Sequence, residues 1–417
     1  DHLDTNQFAI YYKGHLALDS GADYTDTESP HYLNYYRRTV AHNTLLVYKP
    51  GETFFWGENR WPAANDGGQR MDSSRFWNSV RSLEDWRRTR DLWDRGRVEA
   101  FDPVPGAYTY VRGDGTRAYH PSKVERFVRE LAWLPRPRVL LVLDRVRSAD
   151  PSYRKAWLLH GVAEPEVVAS GPARQEEQGG TVYGSASLVT FSDGQGRLRV
   201  HAVLPASREV TVRGGPGWEF WTPGDERGGA WGSGQNWTLD PPEGGPVPDD
   251  PYLKKMWQTF WGDDFTKLSP SNRRAVVPGS WRMEVSPAAP ARDDVFLHVL
   301  EIGDRGAAPL DIQPLRGHGL AGAVVKGETA VLLGTGAGTL DEGEVTLTDT
   351  ASAFLLLAGL APGADYDLQL TSAFAPGVPV WRLEAQANEA GVIRAEWTGK
   401  DGRLRVRRRG REERGAR

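Results

Sequence analysis

Apolar and polar residues alternate in short runs along most of the chain, a period that predicts strands. Residues 7–12 (Gln-Phe-Ala-Ile-Tyr-Tyr) and 15–19 (His-Leu-Ala-Leu-Asp) flank Lys13-Gly14 and read as a hairpin. A polar loop over 23–30 precedes Tyr32–Tyr36, and a strand over 41–48 ends at Lys49-Pro50-Gly51. The stretch from Phe54 to Gly68, rich in Trp, Asn and Gly, reads as an aromatic surface loop. Short alternating runs then fill 76–133. Val139–Leu143 is a continuous apolar run of strand length, with 153–160 as its expected hairpin partner, both crossing the core. Further runs between 170 and 213 follow at the spacing of a sandwich, 222–251 reads as irregular, and strands resume at 281–285 and 295–300. No stretch has a persuasive helical period, so the expected class is all-β.

Composition changes after Gly303-Asp304-Arg305-Gly306 to lighter, short-strand sequence. The expected division is therefore a large β-domain over 1–305, a small β-domain over 306–400, and a solvated, disordered basic tail over 401–417. At 417 residues the chain is long enough for such a division. Its 51 Lys and Arg against 55 Asp and Glu leave a net charge of -4, which gives no basic field for nucleic acid. No apolar run reaches the roughly 18 residues of a membrane-spanning helix. The start at Asp1, without a leader and running almost at once into a strand pattern, leads us to expect that an upstream portion is missing from this sequence.

The absence of cysteine leaves His, Asp and Glu as side-chain metal ligands. The N-terminal segment concentrates them. His2, Asp19 and His42 offer two imidazoles and a carboxylate from neighbouring segments, a donor set suited to Zn²⁺ with a water in the fourth position. A rival takes Asp4 as the carboxylate: His2, Asp4 and His42 imitate the two-His-one-carboxylate face of a non-haem Fe(II) oxygenase. Beside them, Tyr36 and Arg37, within Tyr35-Tyr36-Arg37-Arg38, offer a phenol for proton relay and a guanidinium for an acidic sugar group. Trp56, Trp61, Trp218, Trp221 and Trp231 fall in loop-like sequence where a ring could platform a sugar. Gly334–Gly338 lacks the Lys-Ser/Thr of a phosphate loop, and neither G-x-S-x-G nor H-E-x-x-H occurs.

Taken together, His2–Phe8, Leu16–Gly21, Tyr36–Thr44, Asp144-Arg145-Val146 with 157–160, and 279–287 resemble the heparinase II/III-like polysaccharide lyases, in the family's order and across the chain. The resemblance implies a two-sheet antiparallel β-sandwich followed by a small β-domain, with an α/α toroid preceding them. It implies Zn²⁺ held by His2, Asp19 and His42, with a structural role, and demotes Asp4 to a supporting position. It further implies β-elimination on an acidic, uronate-containing polysaccharide, a periplasmic or secreted bacterial protein, and a homodimer as one assembly. In the family, a His two positions before the first metal ligand joins the active site, and the catalytic Tyr comes from the toroid. The catalytic residues are accordingly expected upstream of Asp1. The chain departs from the commoner pattern in having Asn6-Gln7 where many members carry Gly-Ser. A non-catalytic glycan-binding sandwich is the alternative outside enzymology.

Overall fold

A computed structural model describes residues 2–21, 30–56, 61–71, 80–177, 179–224, 231–238, 277–348, 353–374, 378–397 and 401–410. The short runs become four large sheets. A six-stranded antiparallel sheet has the order Ala173–Glu176, Gly180–Gly184, Arg208–Gly214, Trp281–Pro287, Arg154–Gly161, Leu45–Tyr48. Against it lies an eight-stranded antiparallel sheet: Glu166–Ala169, Ala186–Asp193, Gly196–Leu204, Asp293–Asp304, Val139–Ser148, Val124–Leu134, Tyr108–Asp114, Arg97–Val104. Trp157, Leu159, Met283, Val285, Val142, Val200, Phe296 and Leu300 fill the space between them. This is the expected sandwich.

The continuous apolar run at Val139–Leu143 has a plain cause. Leu140 and Val142 face the sandwich core, whereas Val139, Leu141 and Leu143 face a second core shared with Ala323, Val331, Leu333 and Leu356 of the C-terminal part. A strand covered on both sides has no polar face to show. Beyond it, a five-stranded sheet (Ile312–Arg316, Leu320–Val325, Thr329–Gly334, Ala353–Ala358, Ile393–Trp397) packs on a four-stranded one (Glu342–Leu347, Gly402–Arg408, Asp365–Ser372, Pro379–Gln386). The four sheets thus form successive layers, and Arg145, paired with Glu130 and donating to the Gly334 carbonyl (2.8 Å), ties the second layer to the third.

Four expectations need correction. Val139–Ser148 and Arg154–Gly161 are not hairpin partners, because the turn between them carries the chain from one sheet to the other. Trp157 and Leu159 then face the sandwich core while Ala156 and Leu158 pack outward on Tyr35 and Val40. A helix, Leu83–Trp93, does occur. It has no buried residue, and its Leu83 and Trp86 stand exposed among arginines, but Ser82 and Asp85 form a reciprocal N-terminal cap. The Phe54–Gly68 stretch is not a surface loop: it pairs Phe54–Trp56 with Trp61–Ala63, and Ala63, Ala64, Asn65 and Asp66 are buried. The side chains of Trp56 and Trp61 lie outside the described residues, as do the 23–29 loop and most of 222–251. Finally, the basic stretch from Arg403 is an inner strand of the four-stranded sheet, with Leu404 and Val406 in the core and the arginines facing out. Only 411–417 of the expected tail lie outside the described residues.

His298 is sealed in the sandwich core, stacked on Trp157 at 3.8 Å between ring centroids. Among the described residues neither of its ring nitrogens has a hydrogen-bond partner. Burial first, then the charges of Arg208 and Arg129, push its pKa well below 6.5. Below that pH the unfolded chain takes up a proton that the folded chain refuses, so stability present above pH 6.5 is lost as pH falls. The melting temperature should therefore drop on acidification below pH 6.5, and less steeply in His298→Phe. Parallel profiles for the two proteins would show that His298 does not contribute.

Candidate metal centre

Three ligand-bearing segments meet at one end of the sandwich. The hairpin Ile10–Tyr11/His15–Ala17 is turned at Lys13-Gly14, where a Cβ on Gly14 would stand 2.2 Å from the Asp193 carbonyl oxygen. Its second strand leads into Asp19, which is fixed on either side: Leu18 N–H donates to the His160 carbonyl (3.4 Å) and Ser20 N–H to the Ala41 carbonyl (2.9 Å). Gly279, at φ 64°, presses against Leu18, and its carbonyl accepts from the Ser20 hydroxyl (2.6 Å). The second segment, residues 2–7, is neither strand nor helix. Leu3 is buried with Phe54, Ala63 and Met71, its N–H donates to the Arg37 carbonyl (2.8 Å), and its own carbonyl accepts from Thr39 Oγ1 (2.8 Å). That places His2 beside the helical turns Tyr32–Tyr36 and Thr39–Ala41, which deliver His42.

The ligand atoms of His2, Asp19 and His42 all lie within 4.8 Å of one another, the one such group among the described residues. His42 Nδ1 is 3.1 Å from Asp19 Oδ1, and the His2 and His42 rings are 5.1 Å apart. Zinc bonded to His at about 2.0–2.1 Å and to carboxylate at about 2.0–2.2 Å needs its ligands roughly this close. The His42 side chain is fully buried, and among the described residues its Nε2 has no hydrogen-bond partner. Burial and the neighbouring His42 push the His2 pKa down to about 4, so its imidazole is neutral at ordinary pH, the form that ligates a metal. Burial raises the Asp19 pKa, but the hydrogen bond and charge of His42, with electrostatic contributions from His2 and His160, outweigh it and hold the carboxyl below its usual range. The residues present fit a divalent metal of the zinc type. Asp4 is not in the group: its carbonyl accepts the Gln7 N–H (2.9 Å) in a turn, so His2 and Asp4 do not share a strand face.

Tyr36 is half-buried and meets the His2 ring edge-on at 4.7 Å. Arg37 is only 5% exposed, lies over the Tyr32 ring, and has its pKa lowered to about 10 by burial. Arg38 is wholly buried against Asp66 (2.6 Å), its side chain 4.3 Å from the Phe54 ring. Tyr35 is also core, sharing a 2.8 Å hydrogen bond with Ser20. Of the proposed sugar platforms, Trp221 is buried beneath Arg213 (3.9 Å), and Trp231 packs between Tyr48 and Arg154. Trp218 is partly buried beside Gly179.

Two residues that hold the site went unnoticed among the sequence candidates. Asn43 donates to the Phe8 and Leu18 carbonyls (2.9 and 3.2 Å), and its Oδ1 accepts from the His160 N–H (2.8 Å). Arg129, buried and paired with both oxygens of Asp144 at 2.7 Å, donates to the Asn6 and Asn43 carbonyls (2.6 and 2.7 Å). The only sequence signal for either was position: Asn43 beside a ligand, Asp144 within one of the conspicuous motifs.

The Heparinase II/III-like, C-terminal family model matches residues 1–215. Among solved structures, the chain is similar to a heparinase III, the BT4657 gene product with methylated lysines, at 9% identity over 78% of this chain and 35% of that one, TM-score 0.38. A second heparinase III structure gives 11% identity over 84% of this chain and 34% of that one, TM-score 0.40. The chain thus spans about a third of the length of these proteins. No curated protein matches it. The family match takes in more than half of the chain and every residue of the trio, and the chain therefore belongs to the heparinase II/III-like family, whose C-terminal domain it carries.

Proposed function

We propose that this chain is the sandwich half of a zinc-containing polysaccharide lyase that cleaves a uronic-acid-containing glycan, of glycosaminoglycan or alginate type, in the periplasm or outside the cell. The observation that carries the reading is the convergence of His2, Asp19 and His42 within a segment matched by the family. In β-elimination a base removes the C5 proton, the C4–O4 bond breaks, a C4=C5 double bond forms, and O4 leaves with a proton; no water is consumed. Base and acid come from outside this chain, from an α/α toroid. A zinc ion bound by the trio would supply positive charge and a cross-link among three segments, structural first and Lewis-acidic second. The chain's own residues build one wall: Tyr36 stands beside His2, and Arg37, over the Tyr32 ring, biases that wall toward acidic sugars.

A glycan-binding sandwich is the second reading, favoured by burial: Tyr35, Arg38 and His160 are sealed and engaged, leaving little proton-transfer chemistry exposed. Ultraviolet absorbance separates the two, because only elimination creates a conjugated double bond. The protein with its toroid should raise absorbance on a uronate polymer, and the 417-residue chain alone should not. Full activity of the chain alone would overturn the assignment of base and acid to the toroid. Binding of polymer without absorbance by the longer protein would favour the module.

A further inference from the structure

Asp19 divides its two carboxylate oxygens between different neighbours. Oδ1 faces His42 Nδ1 at 3.1 Å, and Oδ2 lies 3.5 Å from Gln7 Nε2. The first of these contacts is a hydrogen bond only while Nδ1 carries a proton. A nitrogen that ligates a metal carries none there. When His42 Nδ1 and Asp19 Oδ1 both become ligands, the contact that still orients the carboxylate from its far side is Gln7. The Asp19 side chain is 36% exposed, so its carboxylate is otherwise open to water and free to turn.

The loop that carries Gln7 is itself rigid. Asn6 sits at φ 66°, a left-handed conformation that Asn adopts more readily than most residues. Its Nδ2 donates to the Gly113 carbonyl (2.9 Å), and its own carbonyl accepts from Arg129 (2.6 Å). A Cβ on Gly113 would stand 2.4 Å from Asn6 Oδ1, so the fit is close. The Gln7 N–H donates to the Asp4 carbonyl (2.9 Å). Asn6 thus locks the backbone and aims the next side chain at the metal centre. Gln7 Oε1 is buried and, among the described residues, has no hydrogen-bond partner, so the amide is not placed there by a better contact elsewhere.

We infer that Gln7 is a positioning residue for Asp19, donating to the outer carboxylate oxygen so that the inner one is presented to a divalent metal. The inference rests on reading the trio as a metal site. Outer partners of this kind typically change metal affinity by about 10–100-fold when removed. Gln7→Met keeps the length and volume of the side chain and removes the donor. The test titrates Zn²⁺ alone into metal-stripped protein against a competing chromophoric chelator, with melting curves of the metal-free and zinc-loaded forms. Zinc affinity should fall by about 10–100-fold in Gln7→Met, and the melting temperature of the metal-free protein should not move. Equal zinc affinity in the two proteins overturns the inference while leaving the metal site intact. An equal loss of melting temperature without metal makes Gln7 a structural residue and also overturns it. Failure of the unaltered protein to bind zinc removes the metal site itself, and this inference with it.

Discussion

Zinc content should fall from about one ion per chain to almost none in His42→Ala, read by elemental analysis of protein equilibrated with zinc and dialysed. His15→Ala, which removes an exposed imidazole outside the trio, should keep its ion. The size of the effect follows from the geometry. His42 is the fully buried member, and it alone contacts both a second ring, at 5.1 Å, and the carboxylate, at 3.1 Å. Loading the unaltered protein at a thousand times its dissociation constant should add about 4 kcal/mol of stability, seen as a higher melting temperature. His42→Ala should lose that increment entirely. Iron in place of zinc, with oxygen-dependent turnover, would overturn the zinc assignment and return the oxygenase chemistry that the same histidines suggest.

What could be read from the sequence is what local pattern encodes. Alternation marked the strands because most of them have one face on a core, and the unbroken run at Val139–Leu143 marked the strand with cores on both sides. The trio was legible only in part: the absence of cysteine narrowed the donors to His, Asp and Glu, but many of these crowd the first 42 residues, and it was the family resemblance, not spacing, that chose Asp19 over Asp4. Long-range choices were not legible. Arg154–Gly161 joins the sheet in which it pairs with Leu45–Tyr48 and Trp281–Pro287, both far away in the chain, and no short window contains them together. Nothing local marks Arg38 or Arg129 as buried; they are so because Asp66 and Asp144 are buried with them. The strand Gly402–Arg408 hid behind its charge for a similar reason: its outward arginines face Glu344 across the ladder, while Leu404 and Val406 make the core. The helix Leu83–Trp93 has no buried side to betray it, although its Ser82–Asp85 cap was readable.

Arg129→Ala should be the most damaging single change to fold and site together. Asp144, wholly buried, would lose its bidentate partner, and leaving one member of such a pair uncompensated costs about 3–5 kcal/mol. The same guanidinium also holds the Asn6 and Asn43 carbonyls, each adjacent to a residue that faces the metal centre. Two consequences can therefore be separated. In the double variant Arg129→Met with Asp144→Leu, an apolar pair replaces the ions, and much of the lost stability should return, as it does when buried ion pairs are exchanged for packed apolar groups. The two carbonyls would still lack their donor, so the segments bearing Gln7 and His42 would remain loosely held and zinc affinity should stay reduced. Denaturant unfolding gives the first quantity and chelator competition the second. If the double variant recovers stability and zinc affinity alike, Arg129 is a core ion pair and nothing more. If stability returns while affinity does not, the pair's further role is to hold the 6–7 turn and the 42–43 segment in the register that brings His42 to Asp19. A lysine at 129 would sharpen the distinction, since it keeps the charge but cannot span two carboxylate oxygens and two carbonyls at once. It should fall between the two in stability and near the double variant in metal affinity.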